Sequence, residues 1–315
     1  MEESRRQERL ALEQILDEHL REQRKTRRGR AWFRVFIAGY LLVLLGLGYS
    51  DHFSSGSMEE LSEKTHTAVV DLRGVIMPES EFSAEHVNAG LRDAFENKKS
   101  TGVILRINSP GGSAVQAGMI YDEMVRLREK YPNKPLYAVL EDLCASGGYY
   151  VAAGAQEIYA DKATLVGSIG VIMRGFGLKE AMEKLGIENR VLTAGEHKSF
   201  LDPFDVLKED ERKHALQLLS GIHGQFIQKV REGRGKRLKE EGVKLFSGLI
   251  WTGEEAVRLG LVDGLGGDHW VAREKIKATK MINYTYEEDW MDRFSKRFVE
   301  SAVSALWRHG TLATW

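Results

Sequence analysis

The chain of 315 residues is 43 % hydrophobic and 29 % charged with only five Pro, which supplies material for a core and excludes the composition of a disordered chain. Its 45 basic and 46 acidic side chains leave a net charge of -1, so no global field points to nucleic acid as a partner. The one cysteine, Cys144, excludes an intrachain disulfide framework and a multi-cysteine zinc or iron-sulfur site.

Near the N-terminus Leu10, Leu12, Ile15, Leu16 and Leu20 recur close to helical spacing and predict a short amphipathic helix. Residues 21–30 then hold six basic side chains (Arg21, Arg24, Lys25, Arg27, Arg28, Arg30) against Glu22 alone. From Val35 to Ser50 no residue is charged, and these 16 residues rise about 24 Å as a helix, short of a hydrocarbon core of roughly 30 Å. Trp32, Phe33 and Tyr49 at the interfaces, with Arg34 snorkelling, extend the span to about 20 residues and predict one transmembrane helix over 31–50. A cleaved signal peptide fits less well, because the polar stretch before it is too long and no Ala-x-Ala site follows. The basic near flank against Asp51, Glu59, Glu60 and Glu63 keeps segment 1–30 cytoplasmic and exports the rest, in a bacterial cell to the periplasm or outer face.

Residues 51–66, rich in Ser, Gly and charge, read as a stalk, and a domain is expected over 67–285. Ala68 to Ile76 reads as a strand, and Ser83 as the N-cap of a helix that aligns Val87, Leu91, Ala94 and Phe95. Strands at Gly102–Asn108, Leu136–Leu140 and Glu157–Ala160 alternate with helices at 114–130 and Ser146–Gly154, an α/β pattern with right-handed crossovers. A long helix is expected over 208–232, and Thr252 with Glu255 forms a capping box for a helix closed by Gly260. In the tail, 286–315, the residues Trp290, Phe294, Phe298, Ala302 and Leu306 fall at i, i+4 steps. Such a stripe suits packing on the same protein or a neighbouring subunit, less often a membrane surface.

Two glycine-rich turns, Ser109-Pro110-Gly111-Gly112 and Ala145-Ser146-Gly147-Gly148, each follow a buried strand and precede a helix. Their backbone N–H groups lack intrahelical partners and suit an oxyanion hole. On local grounds Ser146 reads as a helix cap or as a nucleophile. No Gly-x-Ser-x-Gly elbow is present, which argues against an α/β-hydrolase. A base is offered by Gly195-Glu196-His197-Lys198, where a strand-like stretch would send either His197 or Lys198 to the site. Lysine acts as a base only when neutral, which asks for a dry pocket that lowers its pKa by about 3.4 units, or roughly 4.6 kcal/mol. Cys144, two residues before Ser146, is a third candidate nucleophile that reads more simply as core packing.

The stretches Leu105-Arg106-Ile107-Asn108-Ser109-Pro110-Gly111-Gly112, Ala145-Ser146-Gly147-Gly148-Tyr149-Tyr150, Val166-Gly167-Ser168-Ile169-Gly170-Val171 and Gly195-Glu196-His197-Lys198 resemble, in the same order, those of the signal peptide peptidases SppA and SohB. The resemblance runs from about Thr67 to Gly267. It implies a Clp protease and crotonase type of fold with repeated ββα units, and a membrane-anchored serine peptidase without cofactor or metal. Ser146 is then the nucleophile, Lys198 the general base, and Ser168 the partner of the lysine. Gly112 and the Ser146 amide are expected to form the oxyanion hole, and His197 is a bystander. The resemblance further implies a homo-oligomeric ring, expected to be an octamer, in which Ser146 of one protomer meets Lys198 of the next. Its substrates would be cleaved signal peptides and other unfolded hydrophobic peptides at the outer face of the inner membrane. Two other readings compete: a catalytically silent membrane scaffold or adaptor, and a crotonase-like enzyme acting on a thioester.

Overall fold

A Val- and Ile-rich run from the first residues of the domain forms the strand β1, His66–Ile76, and the chain then alternates between strand and helix. The computed structural model describes residues 64–287, together with the helical residues Phe36, Ile37 and Gly39. The chain divides into two units, 1–63 and 64–315, and the account below concerns the second. The predicted cytoplasmic segment, all but Phe36, Ile37 and Gly39 of the transmembrane helix, most of the stalk and the aromatic stripe of the tail lie outside the described residues. Among the described residues no helix is long and apolar enough to cross a membrane.

After β1 come α1 (Ala84–Glu96), β2 (Ser100–Gly112), α2 (Ala114–Lys130), β3 (Leu136–Ala145) and α3 (Gly147–Ala152). Both longer helices start where a serine caps them. The Ser83 hydroxyl accepts from the His86 amide (3.4 Å) and the Ser113 hydroxyl from the Gln116 amide (3.3 Å). The chain continues through β4 (Glu157–Ala160), β5 (Leu165–Gly167), α4 (Lys179–Lys184) and the long α5 (Glu209–Arg234). It closes with β6 (Ile250–Thr252), α6 (Gly253–Arg258), β7 (Gly264–Leu265), α7 (Asp268–Val271) and β8 (Met281–Asn283). The predicted capping box of Thr252 and Glu255 is present, and Gly260 follows its helix with φ of 73°.

The strands form one sheet in the order β6-β5-β3-β2-β1-β8, with β4 and β7 branching from β3. All pairings are parallel except β5 with β6. Among these elements the repeating unit is one strand followed by one helix, three times over, rather than ββα. Strand β3 forks: Tyr137–Leu140 pair with β4, whereas Leu143–Ala145 pair with β5.

Side chains alternate across the sheet as a period of two requires. Val70, Leu72, Val103, Leu105, Ile107, Ala138 and Leu140 face the main core, where Val87, Leu91 and Phe95 of α1 and Ile120, Met124 and Leu127 of α2 cover them. Val69, Ile104, Tyr137 and Val139 face a smaller core under Val271 and Ile276. On that second face Arg106 binds Asp71 through two hydrogen bonds (2.6 and 2.9 Å) and Asp268 through a third (2.9 Å). The carboxyl ends of β2 and β3 lie side by side, Ser109 paired with Cys144, and the two glycine-rich stretches meet there.

Candidate active site

The first glycine-rich stretch is not the turn expected after a strand but the last four residues of β2, still paired with β1 (Val75 with Gly111, Ile76 with Gly112), and its own serine fixes it: the Ser109 hydroxyl donates to the Gly74 carbonyl (2.6 Å) and accepts the Gly111 amide (3.1 Å). Gly111 and Gly112 have φ of 101° and 150°. A Cβ on Gly111 would stand 2.6 Å from the Gly147 nitrogen and 2.8 Å from the Ser146 Cβ, and one on Gly112 only 2.1 Å from the Ile76 carbonyl oxygen. Glycine is required at both positions, at Gly111 because the end of β2 lies against the Ser146 turn and at Gly112 because it lies against β1.

Ser146 stands in the N-cap position of α3 and does not cap it. Its backbone, at φ 52° and ψ −122°, is one that non-glycine residues avoid, at a cost of about 1–3 kcal/mol. The cap reading is thereby set aside for this serine. Its carbonyl accepts the Tyr150 amide (3.0 Å) and its own amide donates to the Gly167 carbonyl at the end of β5 (2.9 Å). The Ser146 amide expected in the oxyanion hole is therefore already committed to the sheet. Gly147, the first residue of α3, faces Gly112: a Cβ there would lie 3.2 Å from the Gly112 nitrogen. Motif matching missed Gly147. Its signal was only that a helix starts at this residue and leaves its first N–H groups without intrahelical partners.

Ser168 follows Gly167 and also has a positive φ, 51°. Its amide donates to the Leu249 carbonyl (2.7 Å). The bond from Ser146 to Gly167 ties this second serine's turn to the first. Beside Ser146 a cavity of about 240 Å³ opens between the end of β2, the Ser146 turn and α5. Gly112, Ser146, Gly147, Tyr150, Gly170 and Phe226 are among its lining, with Val115, Ile172, Ile222 and Gln225 at its sides. The Tyr150 ring is fixed by a tilted stack on Phe226 (4.9 Å) and an edge contact with Tyr121 (5.7 Å). Burial pushes the Tyr150 hydroxyl up from its ordinary pKa.

Cys144 is fully buried, and burial drives its thiol well above the usual range, so it is no nucleophile at neutral pH. The segment carrying His197 and Lys198 is a turn, not the strand expected: the Lys198 amide donates to the Gly195 carbonyl (3.2 Å) and the Phe200 amide to the His197 carbonyl (3.2 Å). Both residues are exposed, and neither lines the cavity beside Ser146. They belong to a stretch, 171–210, in which no residue is buried. Within one chain the turn carrying Ser168 is tied to Ser146 through Gly167, while neither Ser168 nor Lys198 is among the residues that line the cavity. Among the described residues no cluster of three or more His, Cys, Asp and Glu side chains is gathered as a metal ion would need.

Residues 128–283 match the family described as Peptidase family S49. The chain is 43 % identical over 210 residues to a protein of Brucella melitensis named Na(+)/H(+) antiporter NhaA, a match that covers 64 % of this chain and 28 % of that one. It is 33 % identical over 215 residues to the chloroplastic serine protease SPPA of Arabidopsis thaliana, covering 65 % and 30 %. Against a Methanocaldococcus jannaschii protein named "Putative protease MJ0651" the identity is 30 % over 222 residues, covering 68 % and 69 %. The chain thus spans less than a third of the first two of these relatives and about two thirds of the other. With residues 128–283 matching its model and 30 % identity to a relative of which the chain covers 69 %, the chain belongs to peptidase family S49, the family of SppA and SohB.

Proposed function

We propose that the protein is a serine endopeptidase in which the Ser146 hydroxyl attacks the scissile carbonyl and Lys198 takes its proton. The observation that carries this reading is the backbone of Ser146: a strained residue that forgoes its cap and lines a cavity beside Gly112 and Gly147. The Gly112 and Gly147 amides stabilise the oxyanion of the tetrahedral intermediate. The leaving amine receives the proton from Lys198, and the same lysine, neutral again, activates the water that releases the acyl group. Ser168 holds the lysine amine by a hydrogen bond. Because Lys198 is exposed in a stretch with no buried residue, a second copy of the chain supplies it and desolvates it. The arrangement is a ring, with eight copies as the expected number, built on a Clp protease type of fold. The apolar walls of the cavity suit apolar side chains of unfolded peptides, cleaved signal peptides among them. The helix at 31–50 would anchor the domain on the outer face of the inner membrane and concentrate such peptides near the site.

Labelling of the full-length protein by a fluorophosphonate, together with casein cleavage, tests the assignment. Ser146→Ala is expected to abolish both, Lys198→Ala to abolish cleavage, and Cys144→Ser and His197→Ala to retain most activity. An active Lys198→Ala beside an inactive His197→Ala would overturn the dyad, and cleavage by Ser146→Ala would overturn the peptidase reading itself.

A further inference from the structure

The turn that carries Ser168 has two consecutive residues at positive φ, Gly167 at 118° and Ser168 at 51°, and for the serine this is a strained state. Such a turn keeps its shape only if its surroundings fix it. On one side the Leu249 carbonyl accepts the Ser168 amide. On the other, the carbonyl of the next residue, Ile169, is held by the His223 imidazole of α5 at 3.1 Å. A carbonyl oxygen only accepts, so the Nε2 of His223 carries the hydrogen whether the ring is neutral or charged. The imidazole lies one residue from Ile222, and two and three residues from Gln225 and Phe226, the α5 residues that line the cavity. The Gly167 carbonyl accepts the Ser146 amide, so a shift of this turn shifts the nucleophile as well.

From this geometry we propose that His223 is a positioning residue for the peptidase reaction: its Nε2–H locks the Ser168 turn to α5, so that one helix both walls the substrate cavity and sets the two serines. The inference rests on Ser146 being the nucleophile. It assigns His223 no proton transfer and no contact with substrate.

The test compares His223→Phe, which keeps a planar ring and removes the donor, with His223→Gln, whose side-chain amide can donate to the same carbonyl. Fluorophosphonate labelling rates and the kcat and KM for a peptide are measured on the full-length protein. His223→Phe is expected to lower the labelling rate and kcat by about tenfold or more with KM little changed, because a misplaced reacting group loses rate rather than ground-state binding. His223→Gln is expected to recover most of the loss. Should His223→Phe fail to fold, His223→Ala with added imidazole takes its place, and imidazole should raise its labelling rate. A wild-type rate in His223→Phe, an equal loss in His223→Gln, a change confined to KM, or an imidazole-insensitive His223→Ala would each overturn the assignment. Ser146→Ala run in parallel separates the two claims: if it labels, the nucleophile assignment fails; if it does not, a wild-type rate in His223→Phe sinks the role of His223 alone.

Discussion

Ser146 holds φ 52° and ψ −122° with no hydrogen bond from its side chain to the helix it precedes, so the fold stabilises a conformation that the residue itself disfavours. Glycine populates such conformations freely, and alanine does not. Ser146→Gly is therefore expected to be more stable than Ser146→Ala by about 1 kcal/mol, both being inactive, as a difference in denaturation midpoint would read. Equal stabilities would mean that no strain is stored there. The conformation was not visible in the tripeptide Ala145-Ser146-Gly147, which is compatible with a cap or a nucleophile. What decides it is distant in the chain: the Gly167 carbonyl takes the Ser146 amide, and Gly111 at the end of β2 fills the space beside it.

Helix α5 is held at its far end by a buried cation. Arg234 is 1 % exposed, and its guanidinium donates to the Gly260 carbonyl (3.0 Å) and the Asp263 carboxylate (2.6 Å). Burial alone would raise the Asp263 pKa, but the hydrogen bond and charge of Arg234, the Ile158 amide and Arg237 outweigh it and hold the carboxyl below its usual range. A carboxylate depressed in the fold contributes stability that is complete above its unfolded pKa, near 4, and is lost as pH falls through the lower folded value. Acid is thus expected to loosen the junction of α5 with the 260–263 segment below about pH 4. Arg234→Met leaves Asp263 without its main partner and is expected to cost about 3–5 kcal/mol in chemical denaturation at neutral pH. A loss below about 1 kcal/mol would show that the pair is not what secures the helix. Elements of this length were readable from the sequence: α2 spans Ala114–Lys130 as predicted, because Ser113 caps it and its apolar residues keep one period. Strands β5, β6 and β8, three residues each, were not predicted, since three residues are too few to display alternation.

The described domain covers its sheet with two cores and yet leaves residues 171–210 without a buried side chain, among them Ile172, Phe176, Leu185 and Leu192 at 73, 79, 74 and 99 % exposure. Apolar surface of this extent asks for a partner, and the proposed ring supplies one from a second copy. Ser146→Ala and Lys198→Ala chains, each inactive alone, are then expected to regain about a quarter of the wild-type peptidase activity when unfolded, mixed equally and reassembled, since a quarter of the sites pair an intact serine with an intact lysine. A mixture as silent as its components would place both groups of a site in one chain. The sequence exposed the motifs of this segment but not its isolation from the core, because burial depends on what the fold brings alongside, and residues 193–200 carry no periodicity to say so.

If Lys198 is the base, a chain that carries it on a stretch outside its own core cannot complete a cutting site by folding. On the proposed assignment, a newly made copy travels to the membrane harmless, and becomes able to break peptide bonds only where it meets its own kind in sufficient number. Crowding of identical chains would then act as the trigger that other proteases obtain by losing a pro-segment.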